Sequence, residues 1–293
     1  MQNELKENMP FKEYLAVKAC HKSALSHVKT AKHLAKFENR DTGTDAMRFG
    51  RVFHLALLEP QLLGDVPIYS EQEWIAKKDH PDGVSINDQK SQWKEGREHY
   101  YANAQEKEDC ENMVKAIMEN PLGKKYISAP GMSEVSLFWK DPRTGLDCKT
   151  RIDKLLDDDV IVEVKTDVDP EPEKFGKKIY QMDYQVGAWF NREGFKEVMG
   201  RDIKAFIFIA VEKSDPYTVG VYLMNAHDFD SGEIKGVPKM IRYKLIKRGG
   251  LKDHNQNEQG EFEVIPVQTP GWEMKIIDDE MGEIDAPMEE SEL

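Results

Sequence analysis

The chain has 293 residues, of which 39% are hydrophobic and 32% charged, and its formal net charge is −13. This length gives room for one large domain or two modest ones. No apolar run approaches the ~20 residues of a membrane span, the N-terminus lacks the apolar core of a signal peptide, and three cysteines cannot supply the four thiolates of an iron–sulfur cluster. We therefore expect a cytoplasmic protein with reduced thiols and no membrane partner.

The negative charge is concentrated at the end of the chain. Residues 278–293 carry eight acidic side chains and no Lys or Arg, and removing those eight charges from −13 leaves −5 for the rest. We expect an acidic, disordered tail over residues 276–293. Basic side chains cluster in residues 140–154 and 235–252. Each cluster is either solvated surface or a place where a phosphate backbone docks, because local patches decide such docking.

The first part of the chain is predicted to be helical. Residues 11–38 form helical segments with a short polar break, and Thr44 or Asp45 caps a strongly apolar helix, Ala46–Glu59, which stops at Pro60. This helical part covers residues 1–125.

Three polar side chains recur every three residues along the apolar helix, namely Arg48, Arg51 and His54. At this spacing they drift slowly around one side of an otherwise buried helix. A histidine in such a helix is either a core residue with satisfied hydrogen bonds or, with Arg51 beside it, part of a polar cleft.

Strands are predicted to follow the helical part. Residues 66–70 form a short strand, His80–Gln89 a loop, and Lys90–Asn120 one long helix or two broken ones. Ser133–Trp139 is a strand, and Asp141–Gly145 is a turn.

The most informative segment is an acidic hairpin. Residues 151–156 and 160–166 are strands, and Asp157–Asp159 is a three-residue loop. If Leu156 pairs with Val160, Asp153 lies directly opposite Glu163, and Lys165 shares the face of Glu163.

Opposed carboxylates destabilise a sheet. At ~5 Å and an effective dielectric of about 20, the repulsion between Asp153 and Glu163 is roughly 3 kcal/mol, which a divalent cation would reverse. The simpler alternative is a solvated, charged sheet face. Apolar residues on both faces argue against this alternative, because a strand that is apolar on both sides is usually buried. Leu155 and Ile161 are expected on the charged face, and the opposite face is expected to hold Ile152, Leu156, Val160, Val162 and Val164.

Further elements complete an α/β (α+β) fold with a central mixed β-sheet flanked by helices. An amphipathic helix, Tyr180–Arg192, is expected to end at Gly194. Ile203–Val211 and Thr218–Met224 are strands, and residues 226–248 are a basic helix. We expect residues 1–275 to form a single domain whose core sheet and helices span residues 126–250.

Four segments together resemble the RecE-type exonucleases, that is, exonuclease VIII and its phage and lambda-type relatives. They match the G-R-x-x-H-x-x-L-L-E-P segment, the strand with a metal-binding Asp, the Glu/Asp-x-Lys core of the PD-(D/E)xK superfamily, and the following helix with a Gln. In this chain they are Gly50-Arg-Val-Phe-His54 with Leu57-Leu-Glu-Pro60, Thr144-Gly-Leu-Asp-Cys-Lys-Thr-Arg-Ile-Asp153, Val162-Glu-Val-Lys-Thr166, and Tyr180–Trp189. The family often has Tyr where this chain has Trp189, and its pattern does not require the acidic tail.

The resemblance implies a restriction-endonuclease-like core and metal-dependent phosphodiester hydrolysis. Asp153 and Glu163 would hold Mg²⁺, with His54 completing the ligand set, and Mn²⁺ is expected to substitute because imidazole suits it. Lys165 would orient the attacking water and Gln185 would hold the phosphate or that water. Glu134 would hydrogen-bond to a metal ligand, bind a second metal ion, or be an ordinary strand glutamate.

The resemblance also implies the substrate and the partners. We expect a 5′→3′ double-strand DNA exonuclease of phage-type recombination, in a bacterial or phage-infected cell, with Arg51, Arg151, Ser23 and Tyr184 binding the substrate end. Relatives form rings of three or four subunits around DNA, and a single-strand annealing protein is a possible partner. The alternatives are a structure-specific or RecB-like DNA endonuclease and a non-catalytic DNA-binding protein.

Overall fold

A computed structural model describes residues 2–39, 44–70, 74, 76, 78–95, 97, 100–249 and 261. The predicted acidic tail lies outside these residues. Within them, no helix is both long and apolar enough to cross a membrane. The helices are α1 (Phe11–Ala16), α2 (Lys22–Leu25), α3 (Ala31–Glu38), α4 (Asp45–Leu58), α5 (Ile86–Lys94), α6 (Ala104–Glu119), α7 (Pro121–Ser128), α8 (Pro172–Gln181), α9 (Tyr184–Met199) and α10 (Ala226–Lys247), with a 3-10 turn at Pro60–Asp65.

The strands form one large sheet and one small one. They are β1 (Glu4–Lys6), β2 (Ile68–Tyr69), β3 (Ala102–Asn103), β4 (Gly131–Lys140), β5 (Asp147–Leu156), β6 (Val160–Asp167), β7 (Ala205–Glu212) and β8 (Val219–Leu223). The large sheet has the order β1-β4-β5-β6-β7-β8, and β2 pairs with β3. Only the β6–β7 pair of the large sheet is parallel. The predicted mixed sheet with flanking helices is confirmed.

Each face of the large sheet is covered by its own apolar core. On one face, α2, α3, α9 and α10 contribute large buried residues such as Leu25, Leu34 and Trp189. On the other, α4 and α6 pack Phe53 and Met113 against the apolar side of β6 and β7. The strands between these layers are therefore buried on both sides, so charged groups on them need partners.

The acidic hairpin has the predicted register. Lys154 pairs with Val162 and Leu155 with Ile161, which is the register that sets Asp153 against Glu163. Asp159 takes a left-handed backbone, φ 66°, in the three-residue loop.

A local irregularity next to this hairpin changes which way the side chains point. β4 and β5 pair through Ser133↔Lys154 and Val135↔Ile152, and the pairs skip Glu134 and Asp153. Glu134 has φ 52°, which is rare in a strand. As a result Ile152 packs in the same core as Leu155 and Ile161. The prediction that Ile152 lies on the opposite face is wrong, because the side chains of β5 do not alternate strictly between the two faces of the sheet near Asp153.

Several predicted boundaries also differ. The region 11–38 contains three short helices, the strand at 66–70 is only Ile68–Tyr69, and the Lys90–Asn120 segment contains α6 and the end of α5. The predicted loop His80–Gln89 ends early because Ser85 caps α5 through the backbone N–H of Asp88.

The amphipathic helix after the hairpin is two helices. Asp183, with φ 54°, separates α8 from α9, and Lys235 and Lys239 of α10 pair with its carboxylate. α9 ends at Gly200 in a left-handed conformation and continues past Gly194. Gly194 allows close packing instead, since a Cβ there would lie 2.8 Å from the Trp139 ring.

Both basic clusters bind within the fold. Lys244 donates to the Thr144 carbonyl, Lys247 pairs with Glu38, and Arg143 bridges Glu193 and Glu233. These contacts give Arg143, Lys244 and Lys247 structural roles rather than a role in phosphate docking.

Candidate active site

The middle of the sheet is where the predicted metal-binding residues meet. Asp153 lies on β5, Glu163 and Lys165 lie on β6, and His54 lies on α4, which packs on both strands. The hairpin register and the packing of α4 therefore join segments about 100 residues apart in the chain.

His54 lies between two carboxylates and a backbone carbonyl. Its Nδ1 is 3.4 Å from Asp153 Oδ1 and 3.7 Å from Glu134 Oε1, and its Nε2 is 3.1 Å from the Val164 carbonyl oxygen. Because a carbonyl can only accept, Nε2 carries a proton in this arrangement. Asp153 also accepts the backbone N–H of Val164 at 2.7 Å.

Glu163 and Lys165 form the second half of the site. The Lys165 ammonium contacts Glu163 Oε1 directly and lies 5.4 Å from the centre of the Tyr184 ring. Asn191 of α9 donates to the other oxygen, Oε2, at 3.4 Å. Both carboxylate oxygens of Glu163 thus have a donor.

The charged groups of the site shift the pKa values of one another. Burial alone would lower the pKa of His54, yet the Asp153 and Glu134 carboxylates outweigh it and raise the pKa to about 10. Burial would raise the pKa of Asp153, but His54 and Lys165 hold it below its ordinary value. Burial and the nearby Asp153 carboxylate raise the pKa of Glu163.

These residues fit a divalent cation. Ligand atoms of His54, Glu134 and Asp153 lie within 4.8 Å of one another, and the two carboxylates that raise the pKa of His54 would also attract a cation. Carboxylate and imidazole ligands suit Mn²⁺ and, through the carboxylates, Mg²⁺. The cluster differs from the predicted ligand set in one member: Glu134 stands beside His54, while Glu163 lies next to this group with Lys165.

Two cavities open on the site. One, of about 250 Å³, is lined by cationic and polar side chains that include Lys22, Ser23, Lys165 and Tyr184. The other, of about 320 Å³, is lined by Arg51, His54, Glu134, Arg151 and Asp153, among others.

Arg151 lines both cavities. Its Nε donates to Glu134 Oε2 at 2.5 Å and a terminal nitrogen donates to the Met9 carbonyl at 2.9 Å. The predicted substrate-binding residues are therefore divided, with Ser23 and Tyr184 on one side, Arg51 on the other, and Arg151 between them.

Gln185 lines neither of the two cavities. Its side chain is fully buried, and neither amide atom has a hydrogen-bond partner in the described part of the chain. Its backbone faces α10, since a Cβ on Gly232 would lie 2.3 Å from the Gln185 carbonyl oxygen. Tyr184 precedes Gln185 on α9 and therefore points in a different direction around the helix axis; Tyr184 lines the 250 Å³ cavity. The predicted contact of Gln185 with a phosphate stays a prediction.

Sequence reasoning missed two polar neighbours of the site. Asn191 is buried against Glu163. Lys22 contributes an ammonium group whose pKa is lowered to about 8 by burial and by Lys165, and which lies 5.9 Å from the centre of the Tyr184 ring. Only the packing of α2 and α9 on the sheet reveals either role. The one available signal was the adjacency of Lys22 to Ser23.

Comparison with known proteins gives two similarities. Residues 11–258 match the profile of a family described as a PDDEXK-like domain of unknown function (DUF3799). A crystal structure of a candidate exonuclease from Eubacterium rectale is similar with a TM-score of 0.58, covering 90% of this chain and 97% of that chain. Their sequences are 12% identical, so this likeness shows the fold alone. No curated protein is detectably similar in sequence.

Proposed function

Because the chain belongs to the family of PDDEXK-like domains designated DUF3799, we propose that it is a metal-dependent deoxyribonuclease. The observation that carries the proposal is the group formed by buried Asp153 and the partly buried His54, Glu163 and Lys165 on the central hairpin and α4. Burying that much charge is costly, and a metal-dependent hydrolytic site explains why these residues are placed together.

Each side chain has a distinct task in phosphodiester hydrolysis. His54, Asp153 and Glu163 would hold a divalent cation, with Glu134 within reach of the same group. Such a cation polarises a phosphoryl oxygen and lowers the pKa of a bound water. Lys165, whose charge Glu163 and Asp153 stabilise, orients the attacking water and stabilises the negative charge that develops on the phosphoryl oxygens. We propose Mg²⁺ as the working cation and Mn²⁺ as a substitute.

The cationic cavity supports the narrower proposal of an exonuclease. Lys22 and Ser23 line it beside Lys165 and Arg151, and these donors suit a terminal phosphate. A cavity of about 250 Å³ has room for a chain end. We propose a 5′→3′ exonuclease that acts on double-stranded DNA ends in phage-type recombination, as a ring of three or four subunits, with a single-strand annealing protein as partner and the cytoplasm as its location.

The test uses linear duplex DNA labelled at the 5′ or the 3′ end, with closed circular DNA as control and Mg²⁺ or Mn²⁺ present. We expect the linear duplex to be degraded from its 5′-phosphorylated ends and the circle to be spared. Glu163→Ala and Lys165→Ala should abolish turnover, whereas Lys174→Ala, which alters an exposed ion pair on α8, should not.

Different outcomes separate the alternatives. Nicking of the closed circle would replace the exonuclease proposal with an endonuclease. Full activity in both Glu163→Ala and Lys165→Ala would refute the assignment of the site. Absence of both metal binding and DNA loss would leave a non-catalytic DNA-binding protein.

A further inference from the structure

Asn191 connects three elements through one buried amide. It lies on α9 and is 6% exposed. Its Oδ1 accepts a hydrogen bond from the hydroxyl of Thr150 on β5, and its Nδ2 donates to Glu163 Oε2 on β6. Thr150 is equally buried, so these contacts are shielded from water.

The orientation of this amide follows from its partners. The Glu163 carboxylate can only accept, so the NH₂ group of Asn191 must face it, and the hydroxyl of Thr150 then donates to the amide oxygen that remains. The Glu163 carboxylate thereby decides which way the amide is turned, and the Thr150 hydroxyl holds the amide oxygen in that orientation. With Oε1 of Glu163 held by Lys165, a fixed donor on each side sets the plane of the carboxylate.

We propose that Asn191, oriented by Thr150, is a positioning residue that aims the Glu163 carboxylate for divalent-cation binding. The inference rests on the proposed function, because it assigns Glu163 to the cation. Groups that hydrogen-bond to metal ligands commonly change metal affinity or activity by about 10–100-fold when they are removed. Asn191 acts through Glu163 and is not itself a ligand in this scheme.

The test is Mn²⁺ affinity by isothermal titration calorimetry on the full chain, with thermal melting as a check of folding. We expect Asn191→Ala to weaken Mn²⁺ binding by about 10–100-fold. Thr150→Val, which keeps the shape but removes the hydroxyl, should weaken it by about tenfold. Thr150→Ser, which keeps the donor, should restore affinity to within about twofold of the wild type.

Thr150→Val keeps the shape of threonine without its hydroxyl, and Thr150→Ser keeps the hydroxyl without the methyl group, so a loss of affinity in Thr150→Val alone reports the hydrogen bond. If Asn191→Ala does not fold, this pair alone decides. Equal Mn²⁺ affinity in Thr150→Val, Thr150→Ser and the wild type would overturn the inference while leaving the nuclease proposal standing. A wild type that binds Mn²⁺ but spares DNA would overturn the nuclease proposal, and the calorimetric comparison would still decide the role of Asn191.

Discussion

The charge state of His54 is the most informative property at the scale of single residues. Its two ring nitrogens contact carboxylates on one side and a carbonyl oxygen on the other, and its pKa is raised from 6.5 to about 10. A cation that binds the His54 imidazole must therefore displace a proton from it at neutral pH.

We expect the apparent affinity for Mn²⁺ to rise with pH, by up to tenfold per unit between pH 6 and 8. Calorimetry in buffers of different ionisation enthalpy should show release of about one proton at pH 7. His54→Asn should weaken binding and flatten this dependence, whereas the loop variant His80→Asn should keep it. A pH-independent affinity in the wild type would show that cation binding does not displace a proton from His54.

The same shift has a consequence for stability in the absence of metal. Since the folded-state pKa lies above the ordinary value, the stabilising effect of charged His54 is fully present below pH 6.5 and is lost as pH rises toward about 10. Melting temperatures of the wild type and His54→Asn, measured across this range without metal, should converge as the pH increases.

Glu134 provides a second test at this scale. Its left-handed backbone, φ 52°, aims the carboxylate at His54 and Arg151, and strained residues of this kind are concentrated at functional sites. We expect Glu134→Gln to weaken Mn²⁺ binding by about 10–100-fold with little change in melting temperature. The exposed variant Glu119→Gln should have no effect, and an unchanged affinity in Glu134→Gln would mark Glu134 as an ordinary strand residue.

At the scale of secondary structure elements, close packing between α9 and β4 depends on one glycine. A side chain at Gly194 would clash with the Trp139 ring at 2.8 Å. We expect Gly194→Ala to lower the free energy of unfolding by about 1–3 kcal/mol, as measured by urea denaturation. Gly176→Ala on α8, where nothing lies within 4 Å, should be neutral or stabilising by up to about 1 kcal/mol.

The same elements show how far sequence reasoning reaches. The hairpin register is local: a three-residue loop and alternating apolar residues determine it, so Asp153, Glu163 and Lys165 could be placed. Gly194 is a residue type typical of a helix end, but its role depends on packing against Trp139, 55 positions earlier in the sequence.

Long-range packing accounts for the remaining differences. The strand β1 is only three residues long and carries no periodic signal. Asn191 gains its role from β5 and β6, far away in sequence. The role of Gln185 rests on resemblance, and its side chain is buried on α9, with its backbone carbonyl oxygen close to Gly232 of α10.

At the scale of the whole molecule, the question is how a chain with net charge −13 would hold DNA. Arg143, Lys244 and Lys247 of the basic clusters are engaged within the fold, and the cationic cavity is small. A ring that combines several such cavities around one duplex would concentrate the attraction for phosphate.

We therefore expect the protein in solution to have three or four times the mass of one chain, as measured by sedimentation equilibrium. Removal of residues 276–293 should leave this mass unchanged, because the tail is expected to be a solubilising segment. A monomer at micromolar concentration would contradict the ring proposal without affecting the chemistry of the site.

The N-terminal segment limits how the chain can be shortened. The family match begins at residue 11, yet β1 pairs with β4 and the Met9 carbonyl accepts from Arg151. A truncated protein starting at that boundary would expose the edge of β4 and leave a guanidinium N–H without its acceptor. Expression trials that follow the family boundary should give lower soluble yield than the full chain.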